Sequence, residues 1–509
     1  MKYKFNYTII LSLALLISAC TDLEYQAVDS TIAKEGETAV IGSASDLITT
    51  LYGRVGSIFQ DQAGTYALTE HPSDEMIGPT RGTDWSDNGI WRSLHTHTWN
   101  SQHQYIQDSW NALNQSVFQA NTALAATDIT EPQKGEARFL RALFMFHVVD
   151  FWGIAPFREV NEGVKVSPKV FSRVEATNFI ISDLNFAISA LPDCSDLGKA
   201  NKNTAKALLA KVLINKGVYS SSNPAGPYTF ENADLDKVIA LADEISGSCG
   251  LGLSSTYFDN FIPSNATSSK ELIFTIPNRA GAGINGSVRN RYYMTLHYHQ
   301  QPSGWNGFTT LASFYDRFEP NDQRLGSEIN GVTDVSGLRA GFLIGQQKDK
   351  DGNNLLDRSG SPLSFTKNVL LAGNGENEGI RVIKYPPDYS NVDNPENDYI
   401  ILRLADIHLL KAEALLRKGD GGGALIVVNE LRNKRGASEL NSIDLKGLLD
   451  ERGRELYWEG WRRNDLIRFG EYTKAWEMKN ASIDGHEVLF PIPQLALDSN
   501  PNLKQNDGY

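Results

Sequence analysis

The chain has 509 residues, 48 lysines and arginines against 61 aspartates and glutamates, and a formal net charge of −13. This acidic balance excludes a nucleic-acid binder, which needs a basic surface to displace counterions from phosphates. With 41% hydrophobic residues, no low-complexity tract and only three cysteines, a disordered chain and a disulfide-stapled scaffold are excluded too.

Lys2 and Lys4 precede a short apolar run, Ile9 to Ile17, too short to span a bilayer. The pattern reads as an export signal over residues 1–19. It ends in Ile17-Ser18-Ala19-Cys20, which resembles a bacterial lipobox whose thiol carries diacylglycerol. Cys20 is therefore the expected lipidation site, and multiple acyl chains hold a protein to a membrane well. Asp22 and Glu24 resemble the surface-export signals of Bacteroidetes lipoproteins. Cys194 and Cys249 are left either free or paired with each other.

Helical patterns dominate the rest. Asp108 to Ala126 is one, with Trp110 on its core side. Glu136 to Trp152 is apolar almost all round, as a helix inside a bundle should be, and Gly153 stops it. Thr204 to Lys216 and Leu402 to Lys418 follow, with Gly217 and Gly419 as stops, and each has a companion, Leu235 to Ile245 and Ala424 to Arg435. Aligned on their glycines, residues 206–217 and 408–419 share Leu, Ala, Leu, Lys and Gly. The units are close to the 34-residue tetratricopeptide period. Residues 61–105 and 250–400 change texture to Gly, Asn, Ser, Pro and aromatics, with short strands at Glu271 to Ile276 and Ile380 to Tyr385. These are loop-rich excursions on a helical scaffold, where binding residues concentrate. Prolines 491, 493 and 501 keep the tail from being a long helix.

Catalytic signatures are sparse. There is no HExxH, GxSxG or P-loop string. The single GxGxxG, residues 281–286, lacks the following helix and distant acid of a dinucleotide site and reads as a loop. Glu451, Glu455 and Glu459 recur every four residues, a spacing that could supply a glycosidase's paired carboxylates. Five charged neighbours, Arg452, Arg454, Arg462, Arg463 and Asp465, favour a salt-bridge lattice instead, with Glu459–Arg463 at ion-pair spacing. His95 and His97 alternate as on a strand face. With His103, His297 and His299 they lack the Cys or carboxylate that completes a metal set. Asp349 to Asp357 resembles a calcium loop but has Asn354 and Gly360 where Gly and Glu belong, so it reads as a polar turn.

Two aromatic segments carry the stronger signal. Trp85, Trp91, Trp99 and Trp110 fall within 26 residues, beside Arg81, Asp84, Asp87, Asn88 and Asn100. Residues 272–315 contain no acid and hold Tyr292, Tyr293, Tyr298, Trp305, Asn306 and Phe308. Sugar rings offer C–H faces to flat aromatics, and their hydroxyls suit the fixed forks of Asn, Asp and Arg.

Taken in order, the lipobox with CTDLE, residues 135–157 (GEARFLRALFMFHVVDFWGIAPF), 402–419 (LRLADIHLLKAEALLRKG), 431–437 (LRNKRGA), 451–470 (ERGRELYWEGWRRNDLIRFG) and 489–509 (LFPIPQLALDSNPNLKQNDGY) resemble the SusD/RagB family of outer-membrane lipoproteins over the mature chain. The resemblance implies a mostly α fold. Residues 20–509 would form one composite SusD-like domain on a tetratricopeptide-like helix-pair scaffold, with long loop-rich insertions and a few short strands. It implies a non-catalytic, cofactor-free protein that captures oligosaccharide or polysaccharide outside the cell. The partner would be a SusC-like TonB-dependent barrel, covered as by a hinged lid. Family glycan contacts carried onto residues 79–91 and 302–308 select Arg81, Asp84, Trp85, Trp305 and Asn306, with Arg381 further on. Some relatives capture peptides instead, which keeps oligopeptide capture as an alternative beside a lipid-anchored glycosidase.

Overall fold

A computed structural model describes residues 42–162, 165–280 and 286–509. The signal segment, Cys20, its acidic neighbours and most of the glycine string at 281–286 lie outside them. No helix among the described residues is long and apolar enough to cross a membrane.

The scaffold is a succession of helices: α1 (Ala44–Phe59), α2 (Gly64–Glu70), α3 (Ile90–Thr96), α4 (Gln104–Leu124), α5 (Glu131–Trp152), α6 (Arg173–Ala190), α7 (Lys202–Tyr219), α8 (Asn232–Ile245), α9 (Leu404–Arg417), α10 (Gly421–Lys434), α11 (Leu445–Leu456) and α12 (Arg462–Arg468). From α4 to α10 each helix packs on the next, and α9 also packs on α11. The two aligned units are the hairpins α7–α8 and α9–α10, joined through the α8–α9 contact. They meet in space although 158 residues separate them in sequence, from Ser246 to Arg403.

Local chemistry explains the boundaries. In α5 a Thr130–Gln133 capping box and a proline in the first turn start the helix, and Gly153 at φ +71° ends it. Every residue from Phe139 to Trp152 is buried. Its polar members survive burial by pairing: Arg141 grips Asp183 with two bonds of 2.7 Å, and Asp150 takes Tyr219, Arg463 and Asn464. Gly419 ends α9 in the left-handed region. Gly217 is different. α7 continues to Tyr219, and a Cβ on Gly217 would lie 2.3 Å from the Thr229 carbonyl oxygen. That glycine permits a loop to press on the helix and stops nothing. Leu402 likewise belongs to a strand, since α9 begins only at Leu404.

The sheets are small: β1 (Ile154–Phe157) pairs with β2 (Lys169–Ser172), β3 (Leu272–Ile276) with β9 (Tyr399–Arg403), and β5 (Ala340–Leu343) lies between β4 (Gly326–Ser327) and β8 (Arg381–Ile383). A two-residue ladder joins β6 (Gly345–Gln346) to β7 (Ser364–Phe365). All pairings are antiparallel. The β3–β9 ladder returns the long excursion to the scaffold and feeds straight into α9. Cys194 and Cys249 form a disulfide, with Cα atoms 5.8 Å apart. The tail runs mostly extended, broken by one short helix at Gln494–Ser499.

Within this scaffold lies a buried ionic lattice. Glu455 accepts Arg403 at 2.7 Å and Arg435 at 2.8 Å, while Glu451 holds Arg324 at 2.8 Å and Arg432 at 2.6 Å. Glu459 pairs with Arg403 and Lys384, not with Arg463, because α11 ends at Leu456 and the chain has turned before Glu459. Arg463 goes to Asp150 instead. The three glutamates are therefore saturated by cations and closed to solvent, as the lattice reading expects.

Candidate functional site

Three excursions, residues 79–91 from the first loop-rich stretch and 293–308 and 358–379 from the second, meet on one aromatic surface. The first, residues 79–91, leaves α2 by way of a bridge between Ile77 and Thr309. It carries Trp85 at φ +59°, a left-handed backbone that is costly for a bulky side chain. The Trp85 ring lies on Phe308 (centroids 4.7 Å apart) and near Trp91 (5.8 Å), and its indole N–H donates to the Trp305 carbonyl at 3.0 Å. Gly307 makes this possible, for a Cβ there would sit 2.5 Å from the Trp85 ring.

The second excursion supplies Trp305 and Tyr293, stacked at 5.6 Å with 20° between their planes. Trp305 is 38% exposed, one of the few large apolar side chains left open to water. Tyr298, half-buried, donates its hydroxyl to Asp84 at 2.6 Å and so ties the second excursion to the first. Its phenol is pushed up to about 12 by burial and by that carboxylate. The third contributes Arg358, which lies 4.0 Å over the Tyr298 ring and pairs with Glu376. Glu376 also meets His297 at 3.0 Å. Burial alone would raise the Glu376 carboxyl, but bonds from Arg358 and His297 hold it below its ordinary value.

The six ligand-contact candidates thus divide. Asp84, Trp85 and Trp305 lie at the surface. Arg81, Asn306 and Arg381 are buried beneath it, unlike the ligand-facing position expected from the sequence. Asn306 and Arg381 are wholly enclosed. Arg381 donates to Asn306 Oδ1 and to the Glu376 carbonyl, both at 2.7 Å, and to the carbonyls of Glu378 and Gly379 at 2.7 and 2.6 Å. Arg81 donates to the carbonyls of Gly375 and Glu378 at 2.7 Å. Two guanidiniums thus fill a cage of carbonyl oxygens from the 375–379 turn. Burial lowers the Arg81 pKa to about 10 and, with help from the Arg81 charge, pulls Arg381 well down. These residues build the floor of the surface. Tyr293, Tyr298 and Arg358 stand on it.

The other sequence candidates fall elsewhere. His95 sits in α3, not on a strand, and its ring bonds the Met76 and Glu477 carbonyls; His97 caps that helix and packs on Trp99 and Tyr472. The Asp349–Asp357 stretch makes two separate turns. Asp349 caps the backbone N–H groups of Asp351 and Asn353, and Asp357 those of Ser359 and Ser361. Among the described residues one trio, Asp484, His486 and Glu487, has ligand atoms within 4.8 Å of one another. Its His486–Asp484 hydrogen bond of 2.5 Å accounts for the contact. Trp110 is core.

Comparison with known proteins bears on this arrangement. The SusD family model matches residues 270–509, and a model described as "starch-binding associating with outer membrane" matches 37–214. The chain belongs to the SusD family. The starch-binding protein SusD of Bacteroides thetaiotaomicron is 26% identical over 492 residues, which span 87% of this chain and 85% of the relative. A solved laminarin-binding SusD-like protein superposes at TM-score 0.67 and 22% identity, covering 92% of this chain and 99% of the other. Surface glycan-binding protein A of the same Bacteroides species, solved with laminarihexaose, gives 0.65 and 17%, covering 91% and 98%. The family match confirms the helix-rich fold with few short strands.

Tyr293, Tyr298 and Arg358 were missed as individual site residues. The tyrosines sat inside the acid-free aromatic segment, which was the available signal. Arg358 had none, because only the fold brings its turn to Tyr298.

Proposed function

We propose that this protein is a cell-surface glycan-binding lipoprotein of the SusD type, which captures oligosaccharide or polysaccharide and passes it to a SusC-like TonB-dependent outer-membrane barrel. The carrying observation is the Tyr293–Trp305 stack with Trp85 beside it, edged by Asp84, Tyr298 and Arg358. Flat apolar faces beside fixed polar forks match the two sides of a pyranose, C–H face and hydroxyl rim. Family relatives named for starch and laminarin binding support the same class. A lipid at Cys20 would anchor residues 20–509, as one composite domain, to the outer membrane and facing outward. The part played by the protein is capture and hand-over. A glycosidase needs two carboxyls open to substrate, whereas Glu451, Glu455 and Glu459 are enclosed and cation-bound.

Affinity electrophoresis against a panel of neutral and acidic polysaccharides tests this reading. One class should retard the wild type, and Trp85→Ala or Trp305→Ala should remove the shift. Retention that survives both substitutions would move the site elsewhere.

A further inference from the structure

Glu70 closes α2, Glu75 follows five residues later, and neither carboxyl group reaches solvent. Both are fastened to one turn. Glu75 Oε1 accepts the Trp458 N–H at 2.9 Å, Glu70 Oε1 accepts the Gly460 N–H, and the Trp458 indole N–H donates to the Glu75 carbonyl at 3.0 Å. Each carboxyl group acts on the other's ionisation, and their Oε2 atoms receive no N–H or cation from the described residues.

Arg462, Arg317 and Lys384 nearby are paired with other carboxylates, and Arg291, whose Nε and Nη1 lack hydrogen-bond partners among the described residues, bonds neither glutamate. Arg462 pairs with Asp74 at 2.6 Å, and Arg317 with the same carboxylate at 2.7 Å. Lys384 pairs with Glu459 at 2.9 Å. Arg291 donates to the Phe59 and Asp61 carbonyls while covering the Tyr66 ring at 3.3 Å. Tyr66, whose hydroxyl donates to the Trp458 carbonyl, and Tyr399 complete the surroundings. Two carboxylates fastened to one turn, out of water and in no ion pair among the described residues, cannot both stay charged.

We propose that Glu70 and Glu75 share one proton, and that this proton fastens the 70–78 segment to the Trp458–Gly460 turn as a positioning clamp for the aromatic loops. The clamp lies directly behind the surface described above. His71 packs on Phe308 and Trp91 at 4.6 and 5.0 Å, and Ile77 bridges Thr309. Phe308 and Trp91 in turn carry Trp85. Trp458 is held at φ +60°, a strained conformation that its two bonds to Glu75 sustain. Burial first, then the charge of Glu70, pushes the Glu75 carboxyl well above its ordinary 4.5. The folded protein therefore keeps a proton that the unfolded chain releases. Its stability falls as pH rises past that value, until the folded pair itself deprotonates.

The role in ligand capture rests on the proposed glycan function; the shared proton does not, and the test separates them. Glu75→Gln keeps an acceptor for Trp458 and gives Glu70 an amide donor that needs no proton. In thermal melts of the full chain from about pH 5 to about pH 10, the variant's advantage in Tm should grow with pH. A carboxylic-acid carbonyl band should appear in the wild-type infrared spectrum at neutral pH and vanish in the variant. Wild-type retention in the polysaccharide gel should weaken at least about threefold more than the variant's over the alkaline half of that range. Parallel Tm profiles with no acid band would overturn the clamp. If the variant does not fold, Glu70→Gln and the wild-type infrared band decide the matter. If neither protein is retained by any glycan, the glycan reading fails, while the melts and the infrared band still judge the proton.

Discussion

Tyr293 stacks on Trp305, and more than a third of that indole still reaches water. Truncating Trp305 should cost the fold little, about 1.5 kcal/mol at most from the lost ring contact, while removing a face against which a sugar would lie. Arg381→Ala should do the reverse. It strands Asn306 Oδ1 and the Gly379 carbonyl in a closed interior and takes one of two donors from the carbonyls of Glu376 and Glu378, so a denaturant melt should lose about 2–4 kcal/mol. Little of this difference was legible in the sequence. Trp85 and Trp305 stand out because exposed tryptophan among glycines is unusual in local context alone. Asn306 and Arg381 look equally suited to a ligand in one dimension. Their burial arises only when three excursions meet, and no local periodicity encodes that meeting.

At the scale of elements, α11 and the turn after it supply carboxylates to a lattice whose arginines come from β9, α9 to α12 and the long excursion. Glu455→Gln should leave Arg403 and Arg435 undercompensated inside the protein. Removing one partner of a buried pair costs about 3–5 kcal/mol, so the variant should melt far lower and release no sugar from any polysaccharide. Acid should act on the same lattice. Burial pushes Asp406, Glu413 and Glu451 upward, but adjacent lysine and arginine charges outweigh it and hold each at about 2. Their stabilisation is complete above the unfolded carboxyl range and disappears as pH falls through the folded values. Melting temperature should therefore drop steeply between about pH 4.5 and about pH 2, and a flat profile there would contradict the lattice. The helices themselves were readable. α5 shows its burial on every face, and Gly153 and Gly419 mark true ends. Gly217 misled because a glycine needed for close approach looks the same as one needed for a left-handed cap. The Glu459–Arg463 spacing misled because it presumes a helix that ends at Leu456.

For the whole molecule, the helix pairs carry two long loop-rich stretches, 61–105 and 250–400, three segments of which meet on one surface. The disulfide adds a constraint between the end of α6 and the turn after α8, closing 55 residues. By loop-closure entropy, Cys194→Ser should cost up to about 4 kcal/mol, read as a lowered denaturation midpoint with glycan retention intact under native conditions. A binding loss as large as that of Trp305→Ala would tie the disulfide to the site instead. The central claim is that this surface, edged by Asp84 and Tyr298, captures glycan. Its most direct test is titration calorimetry of the wild type, Trp85→Ala and Trp305→Ala with the polysaccharide that retards the protein best. The account predicts saturable binding by the wild type and none measurable by either variant, with all three equally folded. Unchanged binding by both variants would contradict it.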